Sequence, residues 1–174
     1  MQEAVKQCEQ KVDNYVAYNN SLCAAHDWIR TLSDQLTADS DTTGNLQSVT
    51  TRLQHVTQLA DLLPEGHAKV EACVNAAAVV SGDFDSSGRQ SVLAGVDNLQ
   101  KMWKQLEEDL NEAERSLRNA VEQWNAYDEH CRTLDEWLQT MGKSVKQKVL
   151  TSDVNEMRPL VKSYQVRITA SVYF

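Results

Sequence analysis

Apolar residues along this chain recur at alternating intervals of three and four. That mean spacing of about 3.5 residues keeps one stripe of a helix facing its neighbours and winds helices around one another left-handedly. The first stripe is Cys8, Tyr15, Tyr18, Leu22, Ala25, Ile29, Leu32 and Leu36, with Lys11 out of pattern beside Val12. The polar run Asp39-Ser40-Asp41-Thr42-Thr43-Gly44 stops it and offers N-caps to the next helix. A second stripe reads Leu46, Val49, Leu53, Val56, Ala60, Leu63, His67, Val70, Val74 and Ala77. Its phase survives Leu63-Pro64-Glu65-Gly66, so the proline is read as a kink and not as a chain reversal. Residues 81–86 form a second loop, and Ser87 with Gln90 has the form of a capping box.

The third stripe is Trp103, Leu106, Leu110, Ala113, Leu117, Ala120, Trp124, Tyr127, Cys131, Leu134, Leu138, Met141 and Val145, with no Pro or Gly between Val96 and Met141. One helix from Val92 to Lys148 follows, about 85 Å long at ~1.5 Å per residue. Lys143, Lys146 and Lys148 suit its negative pole.

The chain also repeats itself. A shift of 109 lays Ala4 on Ala113, Cys8 on Leu117, Tyr15 on Trp124, Tyr18 on Tyr127 and Trp28-Ile29 on Trp137-Leu138. A shift of 111 then lays Leu46 on Met157, Val49 on Leu160 and Leu53 on Tyr164. The expected fold is therefore all-α, with tandem three-helix left-handed coiled-coil bundles: residues 1–113 form a complete unit, and residues 114–174 form a second without its third helix. The two share one continuous junction helix through Leu110, Ala113, Leu117 and Ala120, and Tyr15, Trp28, Ile29, Trp103, Trp124, Trp137 and Leu138 are expected in the structural core.

Composition narrows the chemistry. Lys plus Arg number 17 against 25 Asp plus Glu, a net charge of -8, which lacks the basic footprint of a sequence-independent nucleic-acid binder. Six Gly and two Pro suit long helices. No run approaches the roughly 20 apolar residues of a membrane span, so direct membrane insertion of this segment is not expected, and Met1-Gln2-Glu3 lacks a signal-peptide core. Cys8, Cys23, Cys73 and Cys131 show no C-x-x-C spacing, which suggests neither a zinc site nor a disulfide framework and points to a reducing compartment. The sequon at Asn19 falls inside a helical stretch and is discounted.

Two loops begin like a calcium site, Asp39, Asp41, Thr43, Gly44 and Asp83, Asp85, Ser87, Gly88, but the twelfth positions are Thr50 and Ala94 where a bidentate Glu is needed. Gly142-Lys143-Ser144 lacks the earlier glycine and the strand of a phosphate loop. His26, His55, His67 and His130 have no metal-ligand spacing. The acidic run Glu107, Glu108, Asp109, Glu112 and Glu114 reads as a solvated face that could dock a basic partner. Heptad bundles with short loops offer no concave pocket for catalysis. No catalytic residue, metal ligand or cofactor is assigned, and an enzyme is not expected.

The period near 109, the three heptad helices per unit and the shared helix resemble the spectrin-repeat family over essentially the whole chain. The most specific marks are Tyr15 with Trp28-Ile29 and Trp124 with Trp137-Leu138, an aromatic followed thirteen residues on by Trp and an aliphatic. The divergent repeats and Leu62-Leu63-Pro64-Glu65-Gly66 are most similar to repeats of nesprins. Spectrin, dystrophin-type and plakin-type rods are alternatives. The resemblance implies a non-enzymatic cytoskeletal scaffold, an elongated segment that spaces, transmits force and docks protein partners. A nesprin would place it on the cytoplasmic face of the outer nuclear membrane, in the LINC complex that joins nucleus to cytoskeleton. Its partners would be the actin cytoskeleton, neighbouring repeats and a formin, with self-association through the incomplete second unit. The competing expectation is a calcium-regulated helical binding module.

Overall fold

The computed structural model describes residues 2–82 and 86–149, together with residues 158, 161, 162 and 165. Asp83, Asp85, Met157, Leu160 and Tyr164, and the side chains of Val145, Lys146 and Lys148, lie outside the described residues. Four helices account for almost all of the described chain: α1 (Gln2–Asp39), α2 (Leu46–Ala60), α3 (Leu63–Ser81) and α4 (Ser86–Val149). The chain divides into two units, Met1–Asn125 and Ala126–Phe174.

The first unit is a three-armed bundle made by α1, by α2 and α3 in series, and by the upstream part of α4. The loop after α1 turns the chain back. Gly44 has φ 111, a left-handed conformation that a side chain would strain, and Asn45 then caps α2 by accepting the Ser48 N–H at 2.9 Å. The cap is thus one residue beyond the polar run that was expected to supply it.

Pro64 interrupts the second arm. Having no N–H, it leaves the Ala60 carbonyl without its helical donor, and its ring crowds that carbonyl. The arm is therefore two helices. Asp61 (φ -64, ψ -18) and Leu62 (φ -86, ψ -11) nevertheless stay in the right-handed region, so the chain bends without reversing. The Leu62 N–H tightens onto the Leu59 carbonyl at 3.1 Å, and the Gly66 N–H resumes on Leu62 at 3.2 Å.

The core of the first unit is apolar throughout the described residues. It takes Tyr18, Ala25, Ile29, Leu32 and Leu36 from α1, and Val92, Val96, Leu99, Trp103, Leu106, Leu110, Ala113 and Leu117 from α4. From α2 and α3 come Val49, Val56, Leu59, Val70, Cys73, Ala77 and Val80, with Gly66 buried beside them. Each fully buried Leu or Val stabilises the fold by roughly 1.5–3 kcal/mol. The seven-residue step Val49, Val56, Leu63, Val70, Ala77 crosses the bend as expected, with Leu63 half-buried. The second row does not: Leu59, Gly66, Cys73 and Val80 are buried, whereas Ala60, His67 and Val74 were expected there, and His67 is exposed. A three-helix interior covers a wider stripe than a two-stranded seam, and the turn at Asp61-Leu62 sets which edge of that stripe faces inward.

The first turns of α1 correct another expectation. Cys8 is exposed, and Tyr15, placed in the core from its spacing, is 45% exposed. The Tyr18 hydroxyl donates to the Val92 carbonyl at 3.3 Å, so α1 and α4 run side by side in the same direction from this level. Among the described residues α4 starts at Ser86, so no described turn of α4 lies beside α1 upstream of about Val12. Tyr15 lies at the rim of a groove of about 590 Å³ whose α4 wall is Gly88, Ser91, Val92 and Gly95, residues too small to cover its ring. Ser87 sits inside α4, which already starts at Ser86, so it does not act as the cap.

The structure shows one three-helix bundle, whose packing reaches Asn125, because Ala120, Val121 and Trp124 still lie against its core. In the second unit Leu134, Leu138 and Tyr127 of α4 are exposed, and Trp137 and Met141 are half-buried.

Candidate functional site

The three arms meet at the bend. Trp28 from α1 and Trp103 from α4 stack with ring centroids 5.9 Å apart and planes tilted by 34°. They close over Gly66 in the first turn of α3: a Cβ there would overlap Cζ3 and Cη2 of Trp28 and lie 2.5 Å from Cζ3 of Trp103. His67 adds an edge-on contact, 6.4 Å from the Trp103 ring. Only glycine lets both indoles touch the helix backbone, so this node ties the weakest point of the bent arm to both of its neighbours. Its chemistry is packing, with nothing convergent and polar to act on a substrate.

The sequence-assigned residues fall on both sides of this boundary. Ile29 and Trp103 are buried, Trp28 and Trp124 are half-buried, and the junction residues Leu110, Ala113 and Leu117 are buried with Ala120 half-buried. Tyr15 and Leu138 are on the surface, which corrects their assignment to the core; for Leu138, 51% exposed, no described helix covers the face. Sequence reasoning missed Gly66, because glycine carries no hydrophobic signal, and Cys73, because Val74 beside it fitted the spacing better. Burial pushes the Cys73 thiol above its ordinary pKa, which disfavours the nucleophilic thiolate. Burial also raises the Tyr18 phenol, with Cys73 and then Tyr15 adding to the effect.

The loop between α1 and α2 resembles a cation site in sequence and is filled by the chain itself. Asp41 accepts the Thr43 N–H at 2.8 Å and the Thr43 hydroxyl at 2.7 Å, which makes a local turn. Arg52 reaches back from α2 and donates through Nη1 to the carbonyls of Asp41 at 2.8 Å and Thr43 at 2.5 Å, with Nη2 3.6 Å from the Asp41 carboxylate. A guanidinium thus braces the loop through two main-chain carbonyls and sets a positive charge beside the Asp41 carboxylate, where a cation would otherwise sit. Asp39 lies 3.5 Å from His55 Nδ1. The second Asp-rich loop lies outside the described residues apart from its flanks. Among the described residues no three His, Cys, Asp or Glu side chains converge as metal ligands.

The Thr43 N–H, then its hydroxyl, and then the Arg52 charge hold the Asp41 carboxyl below its ordinary value. A carboxyl lowered in the folded state stabilises the fold above its unfolded pKa and loses that contribution as pH falls through the folded value. The loop should therefore keep its turn down through the ordinary carboxylate range and loosen only in stronger acid. Carboxyl-carbon NMR titration checks this, and Arg52→Gln is expected to move the Asp41 midpoint upward while leaving it below that of a free Asp, because the Thr43 donors remain. An Asp41 midpoint at the ordinary value in the unsubstituted chain would contradict the arrangement.

Three of the five acids in the run on α4 are paired with cations of their own helix. Lys104 pairs with Glu108 at 3.5 Å and Arg115 with Glu112 at 2.6 Å; Arg118 pairs with Glu114, and Gln105 donates to Asp109 at 2.8 Å. Such exposed pairs contribute little to stability, and they leave less bare negative charge for a basic partner than the sequence suggests. Among the described residues no helix is long and apolar enough to cross a membrane.

No protein-family model matches the chain. Over 153 residues it is 26% identical to the muscle-specific protein 300 kDa of Drosophila melanogaster, an alignment that covers 88% of this chain and 1% of that relative.

Proposed function

From its distant homology to a nesprin-family spectrin-repeat protein, we propose that this chain is a non-enzymatic segment of a helical rod, built of tandem three-helix units that share α4. In that role it spaces and transmits force, and it presents its sides to protein partners. The partners in this reading are neighbouring repeats, the actin cytoskeleton and a formin. The location is the cytoplasmic face of the outer nuclear membrane, within the LINC complex.

One observation carries the reading: α4 is a single helix from Ser86 to Val149, and its upstream stripe is sealed into the first bundle as far as Leu117. A helix that leaves a bundle unbroken is a stiff mechanical connection, and an array coupled in this way draws stability from its nearest-neighbour interfaces.

The test is proline at Ala126, an exposed position of α4 just past the first bundle. Proline there removes one helical hydrogen bond and clashes with the carbonyl of Glu122, but it touches no core residue. The unsubstituted chain should unfold in one transition by circular dichroism and Trp fluorescence. Ala126→Pro should split it in two, whereas Ala126→Gly should not. Coincident, unshifted transitions in the proline variant would overturn the coupled-rod reading. So would two separate transitions in the unsubstituted chain.

A further inference from the structure

The bent second arm has two halves that are held very differently. α3 is fastened at its first turn, where Trp28 and Trp103 close on Gly66, and it buries Val70, Cys73, Ala77 and Val80 beyond. α2 is 15 residues long and buries Val49, Val56 and Leu59. Its far end buries Val49 and is tied besides to its own loop, through the Asn45 cap and the Arg52 contacts to Asp41 and Thr43. An isolated helix of that length is marginal in water, so α2 depends on its few core contacts.

The backbone between the halves is already interrupted. Pro64 supplies no donor to Ala60, and the two residues between α2 and α3 are joined to them by short-range turn bonds. Unwinding α2 therefore need not propagate into α3, whereas in an unbroken helix the hydrogen-bond ladder would couple them.

We infer that the first bundle opens in two stages: α2, together with its loop, detaches as a separate cooperative unit while α1, α3 and α4 stay packed about the Trp28–Gly66–Trp103 node. Val56 stands ten residues before Gly66 and Ala113 ten residues after Trp103, about 15 Å from the node in both arms. The opening thus uncovers the Ala113–Leu117 stretch of α4, where that helix leaves the core. Local opening follows from this bundle alone. Its use as a load-relief step rests on the rod reading, so the experiment is done without load and can fail independently of Ala126→Pro.

Native-state hydrogen exchange on the full chain, with denaturant raised below the unfolding transition, reads the two halves separately. Amides of Val56–Ala60 should exchange roughly tenfold or more faster than those of Val70–Val80, through an opening with a smaller denaturant dependence. Pro64→Ala restores the missing donor at an exposed position and should bring α2 to the protection of α3. Thiol labelling gives a second view: Val56→Cys should react well ahead of the native Cys73, although both positions are fully buried at rest. If α2 and α3 exchange through one common opening, or if Pro64→Ala leaves the gap between them unchanged, the two-stage bundle is wrong. Equal labelling of Val56→Cys and Cys73 overturns it as well.

Discussion

Leu117→Ala is expected to lower the stability of the first bundle by about 3–4 kcal/mol, because a fully buried Leu loses both its transfer free energy and the contacts around the cavity it leaves. The melting temperature should fall by about 10 °C. Leu117 is 0% exposed near the downstream end of the core. Its counterpart one repeat period earlier is Cys8, which is exposed. Cys8→Ala should leave stability within about 0.5 kcal/mol, as is usual for surface substitutions. Calorimetry on both variants checks the pair. Similar losses at the two positions would mean that the first turns of α1 are covered by something that the bundle described here does not contain.

Substitution at Gly66 is expected to be costly despite improving helix propensity. Alanine in a helix interior gains about 1 kcal/mol over glycine. Here the added Cβ would meet two indole rings at once, so the overlap costs at or above the upper end of the ~1–3 kcal/mol usual for overpacking. The net loss for Gly66→Ala is about 2 kcal/mol. For Gly66→Val, which puts two further carbons into the same space, it exceeds about 3 kcal/mol. The cause can be isolated with a double-mutant cycle, because Trp28→Phe removes the outer ring atoms that the Cβ would strike. Gly66→Ala should cost less in that background. An unchanged cost would assign the effect to Trp103 or the backbone and remove Trp28 from the account of the node.

Much of the architecture was legible in residue spacing. The three-four alternation marked the helices, and Pro64 marked a bend because the seven-residue step continued past it. The absence of Pro and Gly between Val96 and Met141 marked an uninterrupted α4. The finer assignments failed where the physics is not local. Tyr15 fits its stripe as well as Tyr18 does, but Tyr18 meets Val92 while Tyr15 faces the glycine-lined groove. The Asp-rich loop carried the beginning of a calcium pattern, and the residue that fills it, Arg52, stands nine positions beyond Thr43 on the next helix.

Helix content, the unbroken run of α4, the bend and the recurrence at 109 residues are properties of the chain read alone, because hydrogen bonding within a helix and the facing of its apolar stripe depend on neighbours three and four positions away. Which turns of those stripes are covered was decided in space. Leu117 is sealed and Cys8 is wet, Gly66 lies directly against two indoles, and Cys73 is buried where Val74 is half-buried. Burial belongs to whatever arm lies opposite, and periodicity along one helix says which side seeks cover without saying where cover is found.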